Sequence, residues 1–343
     1  MSLNDPTNPE RESGFPDPDN AAAAAGQAAE PEPANGREPE PASFAPPPDL
    51  APADLSFYTW PPAQEPLVAM QPPVSEPPPR LLPNIGQTFI FLLLAVATAI
   101  IGGITLYLSL LLASHASIRT FQTRMLHSVA WAIAAQAVWY VELWALAILV
   151  FSLWWGRSMF KGISWNSVNA GRWFFRLAAI GLATGAGITI AGNFVPIPHA
   201  TPILKDIQTS AASAWVLMIF GITLAPLTEE LAFRGFLLPS LINIFRWMQR
   251  RRWIGEGTVR GFGIPLSIVI TSVLFAFVHS AQVSHAWGPV LLIGLVSVVL
   301  CIVRLRTSSV AAGVVVHASY NFLLFAALLY QTDWFRHLDK LKG

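Results

Sequence analysis

The chain has 343 residues, of which 53% are hydrophobic and only 12% are charged, and its mean hydropathy is +0.50. Soluble domains carry about 25% charged residues, so this composition excludes an ordinary soluble protein and indicates a membrane protein. The formal net charge is +1, and the single cysteine, Cys301, excludes an intrachain disulfide framework.

The chain begins with a segment, residues 1–82, that is rich in Pro, Ala and Glu. Thirteen of the twenty acidic residues lie in residues 1–80, beside only three arginines. Because the segment has little aliphatic content, it cannot bury enough apolar surface to offset the entropy of ordering, and we predict a disordered tail. The simpler interpretation is a solvated tail. The alternative is a tail that binds a protein partner, with Phe57, Tyr58 and Trp60 as the candidate contact residues.

Seven apolar stretches after the tail are long enough to cross a bilayer core of about 30 Å. They lie near residues 88–113, 129–155, 174–195, 212–245, 263–280, 287–303 and 308–331. The fourth would reach about 50 Å as a straight helix, so it must kink, tilt or split, and Pro226 is the expected place. We predict an all-α, polytopic transmembrane helical bundle of about seven spans, with N-terminal transmembrane helices in residues 83–200 and a short C-terminal tail in residues 333–343.

The basic residues predict the orientation of the bundle. They cluster between the fourth and fifth stretches, in residues 246–260, and between the second and third, in residues 157–176. Lys and Arg accumulate on the cytoplasmic side of a membrane. Seven crossings place both clusters and the N-terminus in the cytoplasm and the C-terminus outside, whereas a fourth stretch that crossed twice would separate the clusters.

Ionisable groups at membrane depth are costly, so they indicate function. The sequence PLTEELAFRG, residues 226–235, places Glu230 and Arg234 four residues apart on one helical face, where they can form a buried ion pair. Glu229 lies about 100° away around the helix axis and stays free to act on a proton. The alternative is structural: a helix begins after the proline, Thr228 caps it, and the two glutamates favour its dipole.

Two further motifs lie on later apolar stretches. FAFVH ends in His279, and HASYN places His317 and Asn321 on one helical face. A lone histidine in a membrane is often a hydrogen-bonded packing residue, and a polar pair can join neighbouring helices. The three motifs together are more informative than any one of them.

In this order, EExxxR, FxxxH and HxxxN resemble the motif set of the CAAX-prenyl-endopeptidase and bacteriocin-processing family of intramembrane proteases, also called CPBP or Abi. The resemblance covers about residues 205–330, and we expect a CPBP-like protease core in residues 201–332. It implies that Glu229 and His279 activate a water molecule, with Glu229 as the general base. It also implies that His317 and Asn321 line the oxyanion pocket, while Glu230 and Arg234 hold the site in shape.

The sequence alone does not decide whether a metal ion takes part in the reaction. Glu229, His279 and His317 could form a three-ligand zinc site with an open position for water. The chain has no HExxH sequence, the usual helical signature of a zinc protease. We favour a metal-independent reaction.

The resemblance predicts an intramembrane endopeptidase that hydrolyses a peptide bond near the cytoplasmic membrane face, with CAAX-type processing of prenylated proteins as one expected activity. The expected partners are membrane lipid and a peptide or prenylated protein, and no nucleic acid. The alternative is a non-hydrolytic membrane scaffold or a bacteriocin-immunity-type binding protein on the same fold. A proton-coupled carrier would predict inverted repeats, which the sequence does not show.

Overall fold

The computed structural model describes residues 81–114, 117, 119–120, 128–198 and 201–341. Within these ranges the regular structure is helical and contains no strand, which confirms the all-α class. The predicted disordered tail, apart from residues 81 and 82, lies outside the described residues.

Seven helical segments of the described chain are long and apolar enough to cross a membrane. We number them first to seventh span: Ile85–Ala113, Val129–Trp155, Phe174–Gly192, Ala211–Arg250, Glu256–Val283, Trp287–Thr307 and Val310–Gln331. Large apolar side chains on their outer faces, such as Phe175 and Phe277, are exposed, as expected of helices that contact lipid. The predicted multi-pass bundle is therefore confirmed.

Short helices lie in the connections between the spans and after the last one. The α-helices are Met159–Gly162, Ser167–Arg172 and Pro202–Gln208, and a 3-10 helix forms Leu338–Leu341. The helix of the first span continues to Ser114.

The fourth and fifth spans are not uniform helices. The fourth consists of α-helices Ala211–Ile222, Leu224–Glu230 and Leu238–Arg250, with a π-helix at Leu231–Leu237. The fifth consists of Glu256–Thr258, a π-helix at Val259–Gly263, the α-helix Ile264–His279 and a 3-10 turn at Ser280–Val283. π-Helical turns inside α-helices are rare and are often found at functional sites.

The predicted interruption of the fourth span occurs at Thr223, whose backbone angles of φ −120° and ψ −85° are not helical. Pro226 explains it, because a proline has no N–H and its ring clashes with the carbonyl four residues earlier, here that of Ile222. The proline is thus the cause, as expected, and the break lies three residues before it.

The connections meet in two groups, one at each end of the bundle. At the first, the Asn243 side chain donates to the Pro83 carbonyl at 2.9 Å, and the Ser309 hydroxyl donates to the Trp165 carbonyl at 2.8 Å. We call this the arginine-rich end, since it carries residues 156–173 and 246–260. Both basic clusters therefore lie at the same end, as seven crossings require.

Other described connections form the opposite end of the bundle, which includes residues 193–198, 201–210, 280–286 and 332–341. The Gln208 side chain donates to the Leu341 carbonyl at 2.9 Å. Gly288, at the start of the sixth span, lies against the carbonyl of Pro196. The C-terminal segment is thus fixed at this end.

Aromatic packing holds the first, second and fourth spans together. Phe236 stacks on Phe91 with ring centres 4.3 Å apart and lies 4.7 Å from the ring of Phe151. These rings are buried, and Phe236 lies in the same π-helical turn as Arg234. The apolar core therefore supports the segment that holds the predicted chemistry.

Candidate active site

Three predicted residues from three different spans meet at one carboxylate. The Glu229 Oε2 atom lies 3.4 Å from His279 Nε2 and 3.8 Å from His317 Nε2. The side chains of Glu229 and His279 are 20% and 16% exposed, whereas that of His317 is 5% exposed. The fourth, fifth and seventh spans thus place two imidazoles around a carboxylate that is not fully buried.

The neighbouring carboxylate belongs to a buried ion pair. The Arg234 Nη1 atom donates to Glu230 Oε1 at 3.0 Å, and both side chains are fully buried. The Arg234 Nη2 atom donates to the carbonyl and the hydroxyl of Ser297, at 3.0 and 2.7 Å. The guanidinium also lies 4.7 Å from the centre of the Phe275 ring. The predicted ion pair is present, and the sixth span adds a polar partner, Ser297, that the sequence did not reveal.

The hydrogen bonds of His317 define which of its nitrogens faces Glu229. Its Nδ1 atom lies 3.1 Å from Glu230 Oε1, the same oxygen that accepts from Arg234. Because a carboxylate paired with an arginine is ionised and only accepts, Nδ1 carries the hydrogen. In neutral His317, the lone pair of Nε2 therefore faces Glu229.

His279 is oriented in the same way by its own helix. Its Nδ1 atom lies 2.8 Å from the Phe275 carbonyl oxygen, which can only accept, so Nδ1 carries the hydrogen. The Nε2 lone pair of neutral His279 then faces Glu229 Oε2 as well. Two acceptors at 3.4 Å need a donor between or beside them, which a water molecule or an added proton supplies.

Asn321 of the seventh span contacts the fourth span close to its break. Its side-chain nitrogen donates to the Gly221 carbonyl at 2.6 Å. Gly221 lies two residues before Thr223, where the helix is interrupted. A side-chain amide has two N–H donors, so Asn321 keeps a second hydrogen for another acceptor.

The structural alternative for Thr228 is wrong. The helix that holds the glutamates begins at Leu224, so Thr228 lies inside it and does not cap it. The Thr228 hydroxyl oxygen instead accepts a hydrogen bond from the Trp144 indole N–H at 3.2 Å. The second span thereby fixes the turn that precedes Glu229.

Arg304 was not singled out by its sequence position near the end of the sixth span, but it supports the site directly. Its side chain is largely buried, and its Nε atom donates to the Arg234 carbonyl at 3.2 Å. Its Nη2 atom donates to the Ile163 carbonyl at 3.0 Å. Arg304 therefore ties the π-helical turn of the fourth span to the connection after the second span.

Glu229, His279 and His317 were considered as zinc ligands, with a metal-independent reaction favoured. In the described part of the chain, no group of three His, Cys, Asp or Glu side chains is arranged so that it could hold a metal ion. The Nδ1 atoms of His279 and His317 contact the Phe275 carbonyl and Glu230 Oε1 respectively.

Comparison with known families agrees with this geometry. Residues 211–323 match the family model described as Rce1-like, type II CAAX prenyl endopeptidase, which confirms the resemblance predicted from the three motifs. The match covers about a third of the chain and includes every predicted site residue. No curated protein and no solved structure matches the chain.

Proposed function

We propose that this chain is an intramembrane endopeptidase in which Glu229 and His279 activate a water molecule for peptide hydrolysis. The observation that carries the proposal is the contact between Glu229 Oε2 and His279 Nε2, two acceptors 3.4 Å apart on side chains that are only partly buried. The similarity of residues 211–323 to a peptidase family supports proteolysis in general. A carboxylate that only held the fold together would not need two facing imidazoles.

The proposed reaction starts from a water molecule that donates one hydrogen to Glu229 and the other to His279. Its lone pair is then free to attack the carbonyl carbon of the peptide while Glu229 takes a proton as general base. A new C–O bond forms, and the tetrahedral intermediate breaks at the C–N bond. Glu229 returns the proton to the leaving nitrogen, so the products are a carboxylic acid and an amine.

The oxyanion of the intermediate needs donors that are oriented before the reaction. Asn321 offers the amide hydrogen that is not given to Gly221. His317 offers Nε2–H when it is an imidazolium, with Nε2 3.8 Å from Glu229 Oε2 and Nδ1 3.1 Å from Glu230 Oε1. With both carboxylates ionised and Arg234 charged, one added proton makes the cluster neutral, which suits a low-dielectric environment.

The substrate of the proposed reaction is a peptide at the membrane. A prenylated CAAX-type carboxyl terminus follows from the family description alone. A peptide that enters the site must lie in or next to the bilayer, so membrane lipid is its immediate surrounding. Both prenylated and unprenylated peptides therefore have to be tested.

The test is cleavage of a quenched fluorescent peptide library, with prenylated and unprenylated members, by the full chain purified in detergent. Wild type is compared with Glu229→Gln and with the control Glu142→Gln, which alters a second-span carboxylate that packs against Gly102. We expect products, identified by mass spectrometry, from wild type and the control, and a rate about 10²–10⁴ times lower for Glu229→Gln. Equal cleavage by Glu229→Gln would contradict the assignment of the base.

Two further outcomes bear on the alternatives. We expect that a chelator leaves the rate unchanged, whereas a loss that added zinc restores would replace the proposed mechanism with a metal-dependent one. A folded wild-type protein that cleaves no member of the library would favour the non-hydrolytic scaffold.

A further inference from the structure

We infer that a cavity at the arginine-rich end of the bundle binds one anionic phospholipid, with the phosphate on hydrogen-bond donors and the acyl chains on an apolar wall. The cavity lies between the first, second and fourth spans and has a volume of about 700 Å³. Ligand sites in proteins typically have volumes of about 300–1,000 Å³. Glu229 is not among the lining residues, so the inference goes beyond the proposed function and does not depend on it.

The cavity begins where three spans start or end. Its lining includes Ile85 at the start of the first span, Trp155 at the end of the second, and Trp247 and Arg250 in the last turn of the fourth. Ser240, ten residues before Arg250, also lines the cavity, which therefore extends about 15 Å along the fourth span. Phospholipid headgroups lie at the ends of membrane helices and their chains lie between them, so this position and depth match a lipid.

Trp155 provides a buried donor. Its side chain is 8% exposed, and its Nε1–H is buried with no hydrogen-bond partner among the described residues. The six-membered ring of the indole packs on Gly162 through the edge that carries Cζ3 and Cε3, and the nitrogen belongs to the opposite edge. A buried N–H without an acceptor is costly, so it indicates a bound group that accepts a hydrogen bond.

Two side-chain amides in the lining add donors. The side-chain oxygens of Asn84 and Gln87 each accept the backbone N–H of the other residue at 3.0 Å. Because these oxygens are occupied, the group that each amide can offer a ligand is its N–H₂. The donors therefore suit an acceptor such as a phosphate.

The charge at the mouth of the cavity is positive. Arg250 lines the cavity, and the Arg251 guanidinium lies 5.7 Å from the centre of the Trp247 ring, which also lines it. No Asp or Glu occurs among the described residues of the lining. Basic pockets between membrane helices bind the headgroups of anionic phospholipids. The charge thus complements an anion and disfavours a cation.

The remaining wall is apolar and distinguishes a lipid from a free phosphate. It is formed by Leu81, Leu82, Ile85, Ile244 and Trp154. Acyl chains would remove these side chains from water, whereas a free phosphate would leave them uncovered. An anionic phospholipid is the ligand that uses both the donors and the apolar wall.

A lipid at this place is expected to stabilise the support of the candidate active site. The Trp155 ring lies 6.0 Å from the ring of Phe236, which belongs to the same π-helical turn as Arg234. A ligand that binds only the folded state stabilises that state. The melting temperature should therefore rise as the anionic lipid is added.

The test is native mass spectrometry of the full chain, purified in detergent, freed of lipid and titrated with phosphatidylglycerol or with phosphatidylcholine of the same acyl chains. Trp155→Phe removes the N–H and keeps an aromatic ring, and Arg250→Gln removes a charge at an exposed position. The matched control is Arg176→Gln at the same end, whose guanidinium lies 4.5 Å from the centre of the Trp173 ring, outside the lining.

We expect wild type to bind phosphatidylglycerol about tenfold more tightly than phosphatidylcholine. Binding of phosphatidylglycerol should weaken about tenfold in Trp155→Phe, which loses a hydrogen bond to a charged group, and about fivefold in Arg250→Gln. Arg176→Gln should stay within about twofold of wild type. Phosphatidylglycerol should also raise the melting temperature of wild type and of this control more than that of the two cavity variants. If Trp155→Phe does not fold without lipid, Arg250→Gln decides the test.

Three results would overturn the inference. Equal binding of the two lipids would show a groove that does not select an anion, and unchanged binding in Arg250→Gln would place the lipid elsewhere. Displacement of phosphatidylglycerol by an equal concentration of inorganic phosphate would identify a phosphate site without a role for the apolar wall. A wild-type dimer that Arg250→Gln separates would show that a second copy of the chain occupies the cavity.

Discussion

At the scale of single residues, two adjacent glutamates in the fourth span have different surroundings. Glu230 accepts hydrogen bonds from Arg234 and His317 and is fully buried, while Glu229 is partly exposed and faces two imidazole nitrogens. Adjacent positions on a helix point about 100° apart, so one carboxylate packs inward and the other lines the accessible site. Glu230 is therefore held in a buried network of hydrogen bonds, whereas Glu229 is partly exposed between two imidazoles.

The buried pair is open to a stability test. Glu230→Gln leaves the Arg234 guanidinium buried without its counterion, and we expect a loss of about 3–5 kcal/mol in unfolding free energy. The double variant Glu230→Gln with Arg234→Met removes the charge as well and should recover part of that loss. Cys301 is buried, so a thiol-reactive fluorogenic dye reports thermal unfolding in detergent without an added label. A double variant less stable than the single one would contradict this account.

Some of these residue contacts were predictable from the sequence and others were not. The Glu230–Arg234 pair follows from the i, i+4 spacing alone. The meeting of Glu229, His279 and His317 depends on how three spans pack, which no local periodicity determines, and only the family resemblance predicted it. Arg304 lies near the end of the sixth span, where its position alone indicates a charge at the membrane surface, yet its guanidinium turns inward to two carbonyls.

At the scale of elements, the seventh span approaches the fourth closely where the ion pair lies. A Cβ atom added at Gly313 would come within 2.5 Å of Glu230 Oε2. The third span also approaches the seventh closely, since a Cβ atom at Gly181 would overlap the Val316 carbonyl. Small residues permit such close packing between membrane helices. The close packing of the seventh span against the third and fourth positions His317.

Gly313→Ala should therefore disturb the site through packing alone. We expect a loss of about 1–3 kcal/mol in stability, together with lower peptidase activity, as Glu230 is displaced. The matched control is Gly187→Ala in the third span, where an added Cβ atom meets no atom within 4 Å. That variant should be neutral or gain up to about 1 kcal/mol, because alanine favours helices over glycine. The same dye measures both variants, and equal effects would contradict the close approach.

Arg304 provides a second prediction at this scale. Arg304→Ala leaves the Arg234 and Ile163 carbonyls without their side-chain donors, and each buried unsatisfied group costs about 1–3 kcal/mol. The control Arg306→Ala, two residues further along at an exposed position, should change stability by less than about 0.5 kcal/mol. Thermal unfolding of the two variants in one detergent compares them directly. Similar melting temperatures would show that the Arg304 contacts contribute little.

The irregular fourth span shows what sequence reasoning can establish about an element. Its excessive length and Pro226 predicted an interruption, and the structure contains one that the proline explains. The break falls at Thr223 because the steric conflict of a proline acts on the carbonyl four residues before it. The π-helical turn at Leu231–Leu237 was not predicted, since it depends on the packing of Arg234 and Phe236 against other spans.

At the scale of the whole molecule, the bundle is a multi-pass membrane protein whose peptidase-like region forms only part of the chain. The family match begins at residue 211, with the start of the fourth span. The first three spans lie outside it and still contribute contacts, such as the hydrogen bond from Trp144 to Thr228. They are therefore part of the support of the site.

The N-terminal tail is expected to be dispensable for the chemistry. Removal of residues 1–80 preserves Asn84 and Gln87, whose side chains and backbone N–H groups exchange hydrogen bonds at the start of the first span. We expect kcat/KM on a detergent-solubilised peptide to stay within about threefold, a difference below about 1 kcal/mol in transition-state stabilisation. A drop of more than about tenfold would indicate that the tail binds the substrate or orders the site.

The most direct test of the central claim separates binding from turnover in Glu229→Gln. The variant keeps the size of the side chain but cannot accept a proton from water. We predict that the affinity for a cleavable peptide changes by less than about threefold, while single-turnover cleavage slows by about 10²–10⁴. A variant that binds and cleaves as wild type does would contradict the account, as would one that loses binding and cleavage in the same proportion.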